Sequence, residues 1–479
     1  MGPSRSTDAQ LGGLYPPTVE PAPRPLPLRS FLIRFVKNPL SSLPRAAYEQ
    51  GIVAYDNGRG VVAWVTDPAL IEEVLLTRAD SFGKTQVEKR VFENTMGDGI
   101  LTSQGASWKW HRRTAAPLFR PADLTGLVPI MTEAAEEQLR RWAAAPAGSR
   151  QAVDRDMTET TFRVISATMF AGSADAEAAA ILRAADKALS TISWDVAAAM
   201  LRFPDWLWYP GKYRRARAGR DLREAVRCVL ARRRANGNQG HDLLARLASA
   251  RDPGTGAPMS EKQLIDNLVT FLAAGHETTA KALTWTLYLI ARAPEWQHRM
   301  RREVREVAGE EPITAEHIEQ LIITRAVLEE SMRLYPPAPV MTRQVMADTV
   351  LGGERLPAGA HIVISIFAVH RHRKLWIDPD RFDPDRFLPE RKARYARTQF
   401  MPFGFGPRTC IGASFAMLEG LAILATLVRR ADFEWDGDHA PEPLSRVTLR
   451  PKGGMPLHVW PLKEARVSAA GLVQAGKSP

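Results

Sequence analysis

Residues Phe403-Gly404-Phe405-Gly406-Pro407-Arg408-Thr409-Cys410-Ile411-Gly412 place a cysteine in a tight loop that feeds directly into an amphipathic stretch, 412–430. A thiol at a helix N-terminus is biased toward thiolate, because the free N–H groups and the dipole favour negative charge. Gly404 and Gly406 lack a Cβ, so the backbone can come close to a flat ligand. Arg408, two residues before the cysteine, can pair with an anionic group on that ligand. A planar iron macrocycle with two propionates and an axial position open to thiolate meets each requirement, and haem is such a group. An isolated cysteine is more often a small buried hydrophobe; the full spacing is what favours a ligand. The only other cysteine, Cys228, lies in the arginine-rich segment 223–234. Two cysteines exclude a disulfide framework and four-cysteine zinc sites.

A second segment, Ala274-Gly275-His276-Glu277-Thr278-Thr279, interrupts a long apolar helical pattern from about Glu261 to Ala291. A mid-helix glycine costs about 1 kcal/mol relative to alanine, and threonines can bond back to carbonyls one turn earlier. Such sequence in a buried helix suits a groove that must admit a ligand. Three further clusters carry charge at defined spacing. They are Glu330-Ser331-Met332-Arg333, then Pro384-Asp385-Arg386-Phe387, and the earlier Trp108-Lys109-Trp110-His111-Arg112-Arg113. Each alone is weak, since an i,i+3 Glu–Arg pair is common on helix surfaces.

Together these segments resemble the cytochrome P-450 family. Phe403, Gly406, Arg408, Cys410 and Gly412 match its haem-binding signature, Phe-x-x-Gly-x-Arg-x-Cys-x-Gly. Residues 274–279 resemble its oxygen-binding motif. The resemblance implies that Cys410 is the axial ligand of haem b (iron protoporphyrin IX), with Phe403 packed near its sulfur. It implies that Thr278 hydrogen-bonds bound O2 and that Glu277 relays protons. His276 fills a variable position and receives no role. Glu330, Arg333 and Arg386 match a buried structural triad on the haem side of the core. Trp108, Arg112 and Arg343 match partners of the haem propionates, while Gly404, Ala274 and Gly275 would border the cofactor. The resemblance covers roughly residues 45–460.

The activity implied is a monooxygenase that inserts one atom of O2 into a hydrophobic substrate, most commonly by C–H hydroxylation. Fatty acid, terpenoid and steroid-like substrates remain open. A pocket lined by Phe271, Ala274, Thr278, Val340 and Met341 is expected, with contributions from the loop 94–101 and the turn Gly453-Gly454-Met455. Trp194, Phe203, Trp206 and Trp208 lie where the family has its substrate-access helices. A haem-thiolate peroxygenase or isomerase, or a haem-binding protein without turnover, would be the competing classes; the Glu277-Thr278 pair argues against both. No Gly-rich dinucleotide fingerprint follows a strand signal. Electrons are therefore expected from a separate ferredoxin or flavodoxin and its NAD(P)H-dependent reductase. Arg112, Arg113 and the arginines near Arg408 are candidate docking charges.

The elements that must hold these residues are mostly helical. Apolar periodicity predicts helices at 121–145, 157–190, 212–235, 261–291, 295–308, 322–334 and 412–430. Ser260 is the expected N-cap of the longest. Strand signals are short: 60–66, 344–351, 361–366, and a C-terminal set around 433–435, 447–450 and 458–460. The fold class expected is mainly α with a minor β component, a single cytochrome P-450-type domain over residues 41–463. A Pro-rich segment, 1–40, would precede it and a disordered tail, 464–479, would follow. Lys plus Arg outnumber Asp plus Glu, 64 to 53, for a formal charge of +11. The basic residues are spread over many helical segments with no nucleic-acid motif, so nucleic-acid binding is not expected. Apolar stretches are broken by charge before spanning length. A cytoplasmic monomer without a membrane span is expected.

Overall fold

Ser260 opens the longest helix with a reciprocal cap: its hydroxyl accepts the Gln263 N–H and the Gln263 side chain accepts the Ser260 N–H. That arrangement satisfies two of the N–H groups every helix start leaves without partners. The computed structural model describes residues 13–462 apart from 171–179, 186, 188–191, 202, 205, 236–241 and 253. The tail expected at 464–479 lies outside the described residues.

In chain order the helices that matter here are α1 (Leu28–Lys37), α2 (Gln86–Met96), α3 (Gly105–Ala115), α4 (Val128–Ala144), α5 (Val153–Phe170) and α6 (Ile192–Met200). They continue with α7 (Lys212–Ala235), α8 (Glu261–Arg292), α9 (Pro294–Ala308), α10 (Ile322–Leu334) and α11 (Ala413–Arg430). Of the helix predicted at 157–190, α5 accounts for the part up to Phe170; most of the remainder lies outside the described residues. Helix α8 is buried on nearly all sides, with Leu268, Leu272, Leu283, Trp285 and Leu287 wholly enclosed. A helix apolar all round must run through a core. It packs on α5, α7, α10 and α11.

Among the described residues the strands form one five-stranded sheet, one three-stranded sheet and two hairpins, of which Thr349–Leu351 with Glu354–Leu356 is one. Strands β1 (Ile52–Asp56), β2 (Val61–Val65) and β3 (Phe82–Gly83) join β5 (Met341–Val345) and β6 (His361–Ile364) in one sheet, in the order β1-β2-β6-β5-β3. β2 and β6 are parallel, with Ala63 opposite Ile362, and the other pairings are antiparallel. Near the C-terminus, β4 (Arg150–Ala152) and β7 (Ala431–Glu434) flank β10 (Pro456–Pro461), while β8 (Glu442–Ser445) and β9 (Leu449–Lys452) form a hairpin.

The Pro-rich stretch set apart on sequence packs onto this body. Val19, Ala22 and Leu40 are buried, the Tyr335 hydroxyl donates to the Pro17 carbonyl, and Ala22 pairs with Pro44 in an isolated bridge. Pattern reading also passes over α1 and α2, because prolines crowd the first and charges dominate the second. Among the described residues, no helix is long and apolar enough to cross a membrane.

Candidate active site

The loop before α11 is closed by short backbone bonds: Gly404 N–H to Met401 O, Thr409 N–H to Gly406 O and Cys410 N–H to Phe403 O, all 2.9–3.0 Å. Gly404 and Gly406 sit at φ 73° and 76°, a left-handed region where a side chain is strained. A Cβ on Gly406 would also lie 2.1 Å from the Leu75 carbonyl. Approach to protein backbone, rather than to a flat ligand, is therefore what excludes a side chain there. Gly404 does face a cavity, beside Met341.

That cavity has a volume of about 1240 Å³, larger than the ~300–1000 Å³ typical of a single small-molecule site. Cys410 and Phe403 line it, as do Arg408, Gly412, Ala274, Gly275 and Thr278. Phe271, Val340 and Met341 contribute apolar wall. From α6 come Ile192, Val196, Ala199 and Met200, and Ile100 and Leu101 come from the loop after α2. That loop is anchored to α8: Asp266 accepts the Asp98 N–H and Asn267 accepts the Ile100 N–H.

One sequence expectation for the pocket fails. Met455 is buried elsewhere, between β4 and β10, where its carbonyl accepts the Val153 N–H and its own N–H donates to Asp154. The turn between β8 and β9, through Ser445, Arg446 and Val447, supplies the C-terminal wall instead. Trp194, Trp206 and Trp208 are exposed and do not line the cavity.

The charges around the cysteine form a second pattern. Arg408 stacks on the Trp108 ring at 4.2 Å and donates to the Ser103 carbonyl. Burial first, and then the nearby Arg343 guanidinium, push the Arg408 pKa down to about 10. Arg343 is itself buried and lowered by that burial. Lys84, which no sequence motif indicated, joins them; burial depresses its ammonium while Glu88, at 2.7 Å, opposes the shift. Glu88 is the sole acid lining the cavity among the described residues. Cations crowded in a half-dry site call for anions, and two propionates supply them. Arg112 also lines the cavity, its Nη1 donating to the Thr409 carbonyl beside the cysteine. Arg113 is bound to Asp252 at 3.0 Å, so its charge is already partnered.

The thiol differs from its expected state. Burial pushes the Cys410 pKa above its ordinary value, against smaller downward pulls from the Gly412 amide and Arg112. The helix end alone does not produce thiolate; a metal ion at the sulfur would, since coordination removes the proton outright. The donor set, the glycine beside the cavity, the cation cluster and the volume fit haem.

On α8, the Thr278 hydroxyl donates to Ala274 O at 2.8 Å and Thr279 to Gly275 O at 3.4 Å, one turn back. Gly275 serves close helix packing, for an added Cβ would meet Ile165 of α5 at 3.2 Å. The Thr161 hydroxyl of α5 donates to the His276 carbonyl. Glu277 does not line the cavity. Its Oε1 accepts from Thr448 at 2.7 Å and meets Arg450 at 2.5 Å. Burial raises the carboxyl, but Arg450 and then Thr448 outweigh it and leave the pKa below the ordinary range. Glu277 is thus an ion, and its Oε2 is buried without a hydrogen bond.

Below the cavity floor, Glu330 and Arg333 of α10 form a doubly bonded pair at 2.6 and 2.7 Å, both wholly buried. Arg386 approaches Glu330 at 3.6 Å. The remaining donors of both arginines go to the carbonyls of His370, Pro379, Arg381, Ile377 and Asp378. The sequence-predicted triad therefore meets in space and ties α10 to the segment before the cysteine loop.

The sequence profile of the family described as Cytochrome P450 matches residues 21–457. The chain belongs to the cytochrome P450 family. Curated relatives include a cytokinin hydroxylase of Arabidopsis thaliana, 32% identical over 85% of this chain and 80% of that protein. Another is a cyclooctat-9-en-7-ol 5-monooxygenase of Streptomyces melanosporofaciens, 30% identical over 87% and 89%. The crystallographic haem domain of cytochrome P450DA superposes with a TM-score of 0.79 at 25% identity, covering 93% of this chain and 99% of that one. As a cytochrome P450, the protein is a haem-b-dependent monooxygenase. Its mainly helical fold with minor sheet is the one its motifs implied.

One buried acid escaped every motif. Glu419 of α11 is enclosed beside Thr279, and neither carboxyl oxygen makes a hydrogen bond. Burial pushes its pKa up to about 8, with the Thr279 hydroxyl a smaller opposing influence.

Proposed function

We propose that this cytochrome P450 hydroxylates C–H bonds of a hydrophobic small molecule, using O2 and electrons from a separate ferredoxin or flavodoxin in the cytoplasm. The observation that carries the substrate class is the wall of the cavity, where Phe92, Ile192, Val196, Phe271 and Val340 surround the space that also meets Cys410 and Thr278. An apolar wall on that side of the cavity selects apolar ligands.

Cys410 would hold the iron, and Arg343, Arg408, Lys84 and Trp108 would hold the propionates. Bound haem supplies dioxygen activation. The chain must exclude water and deliver protons. Thr278 carries the hydroxyl that faces the cavity; rotating away from Ala274 O would free it to donate inward. Glu277 sits behind it as a carboxylate held by Arg450 and Thr448. To pass a proton toward Thr278 it must leave that pair and turn.

Two measurements test this reading. Carbon monoxide on the reduced holoprotein should give the red-shifted Soret band of thiolate ligation, lost in Cys410→Ala. A histidine-type band in the wild type would overturn the ligand assignment. With a reconstituted electron chain, Glu277→Gln should cut product formation at least tenfold while leaving that band intact. Turnover unchanged in Glu277→Gln would remove the relay role, and product made from peroxide but never from O2 would favour a peroxygenase.

A further inference from the structure

Arg446, in the turn between β8 and β9, is half-buried against the cavity, flanked by Ser445 and Val447, which line it as well. Val447 packs with Phe92, Met96 and Ala273, so the turn is fastened to the apolar wall and to α8. Both hydrogen bonds of Arg446 leave from Nη1, to the Lys37 carbonyl at 3.2 Å and the Ser445 carbonyl at 3.1 Å. Nε and Nη2 make none, and no acid pairs with this guanidinium among the described residues. Among the described residues the charge that acts on it is another cation, Arg450, which also meets Glu277. Burial, then Arg450, lowers the Arg446 pKa. Partly desolvating an uncompensated cation costs free energy, and an anion arriving in the cavity relieves that cost. The cations around Cys410 form a separate cluster, linked electrostatically through Arg408, Arg343, Lys84 and Glu88.

We infer that the substrate is an apolar carboxylic acid whose carboxylate is bound by the free Nε–Nη2 edge of Arg446, with its hydrocarbon body along the apolar wall. The pairing of that guanidinium edge with a carboxylate is planar and bidentate. One fixed head group then decides which carbon reaches the iron side of the cavity. The inference rests on the monooxygenase reading of the same cavity and names its substrate class.

The test uses haem-loaded protein and the substrate-induced spin shift, which needs no turnover. Hexadecanoic and dehydroabietic acids are titrated at pH 7.5 beside their methyl esters, with wild type and Arg446→Leu. At least one acid should bind wild type at least tenfold more tightly than its ester. Arg446→Leu should abolish that preference and leave ester affinity within about twofold. Two results overturn the inference: no acid binding more tightly than its ester, or a preference that survives Arg446→Leu. The thiolate-type carbon monoxide band of each protein separates the failures. If it is present while acid and ester bind alike, the head-group assignment alone falls; if it is absent, the monooxygenase reading falls with it. A thermal unfolding midpoint for Arg446→Leu equal to wild type excludes misfolding.

Discussion

Thr278 and Thr279 are consecutive, yet their side chains meet different chemistry. Both line the cavity, but the Thr278 hydroxyl bonds back to Ala274 O, while Thr279 borders the buried carboxyl of Glu419. Thr278→Ala should therefore lower product formed per electron pair consumed by at least tenfold, since a positioned proton-transfer group typically contributes about 10²–10⁴-fold. The thiolate-type carbon monoxide band should survive. Glu419 makes a prediction about stability. Its folded pKa, about 8, lies above the ordinary carboxyl value, so the folded chain holds a proton that the unfolded chain releases. Stability should then be greatest at low pH with respect to this group, and fall as pH rises from about 4.5 toward 8. Glu419→Gln, which mimics the protonated acid, should flatten that decline and raise stability at pH 8 by on the order of a few kcal/mol. Denaturant unfolding of both proteins at pH 5.5 and 8 reads the difference; parallel pH curves would show that Glu419 is ionised in the fold.

Among the elements, the loop 403–412 and helix α10 bear the tightest constraints. Gly406→Ala puts a methyl group 2.1 Å from the Leu75 carbonyl at a φ of 76°, so the loop must move. The haem-to-protein ratio of the purified variant should fall severalfold. Arg333→Ala leaves Glu330 buried with the Asp383 N–H and one approach from Arg386, and should cost about 3–5 kcal/mol in chemical denaturation. These constraints were legible in the sequence because each is written in consecutive residues: Phe403 to Gly412, Ala274 to Thr279, Glu330 to Arg333. Helices α7 and α10 were legible for the same reason, as their periodicity is local. Lys84, Glu419 and Arg446 were not. Their significance lies in neighbours far along the chain, and a single Lys, Glu or Arg carries no mark of that. Met455 was misplaced because Gly453 and Gly454 advertise a turn, whereas the turn that reaches the cavity, at 446–448, contains no glycine.

Across the whole molecule, charge and packing give opposite kinds of information. Arginine and lysine are spread along the whole sequence, several of them are buried, and Arg113, offered by its position in sequence as a docking charge, is held by Asp252. Arg112 lies on the cysteine side, against the Thr409 carbonyl. Reduction of the protein by an acidic ferredoxin should slow steeply as ionic strength rises, since the screening length falls from roughly 30 Å at 0.01 M to 3 Å at 1 M. Stopped-flow reduction over that range checks it, and a flat salt response would mean that docking is apolar.

Asn38 has a wider consequence. Its side chain donates to the Pro443 carbonyl and accepts the Ser445 N–H, so residues more than four hundred positions apart clasp each other at the wall of the cavity. A ribosome synthesises the first partner long before the second. This part of the cavity wall therefore forms only once Ser445 has been made. Closing so long a loop is slow, which leaves an interval when apolar walls and a free thiol are open to solvent. Expression at lower temperature with haem precursor supplied throughout suits a protein whose cavity wall joins segments so far apart in sequence.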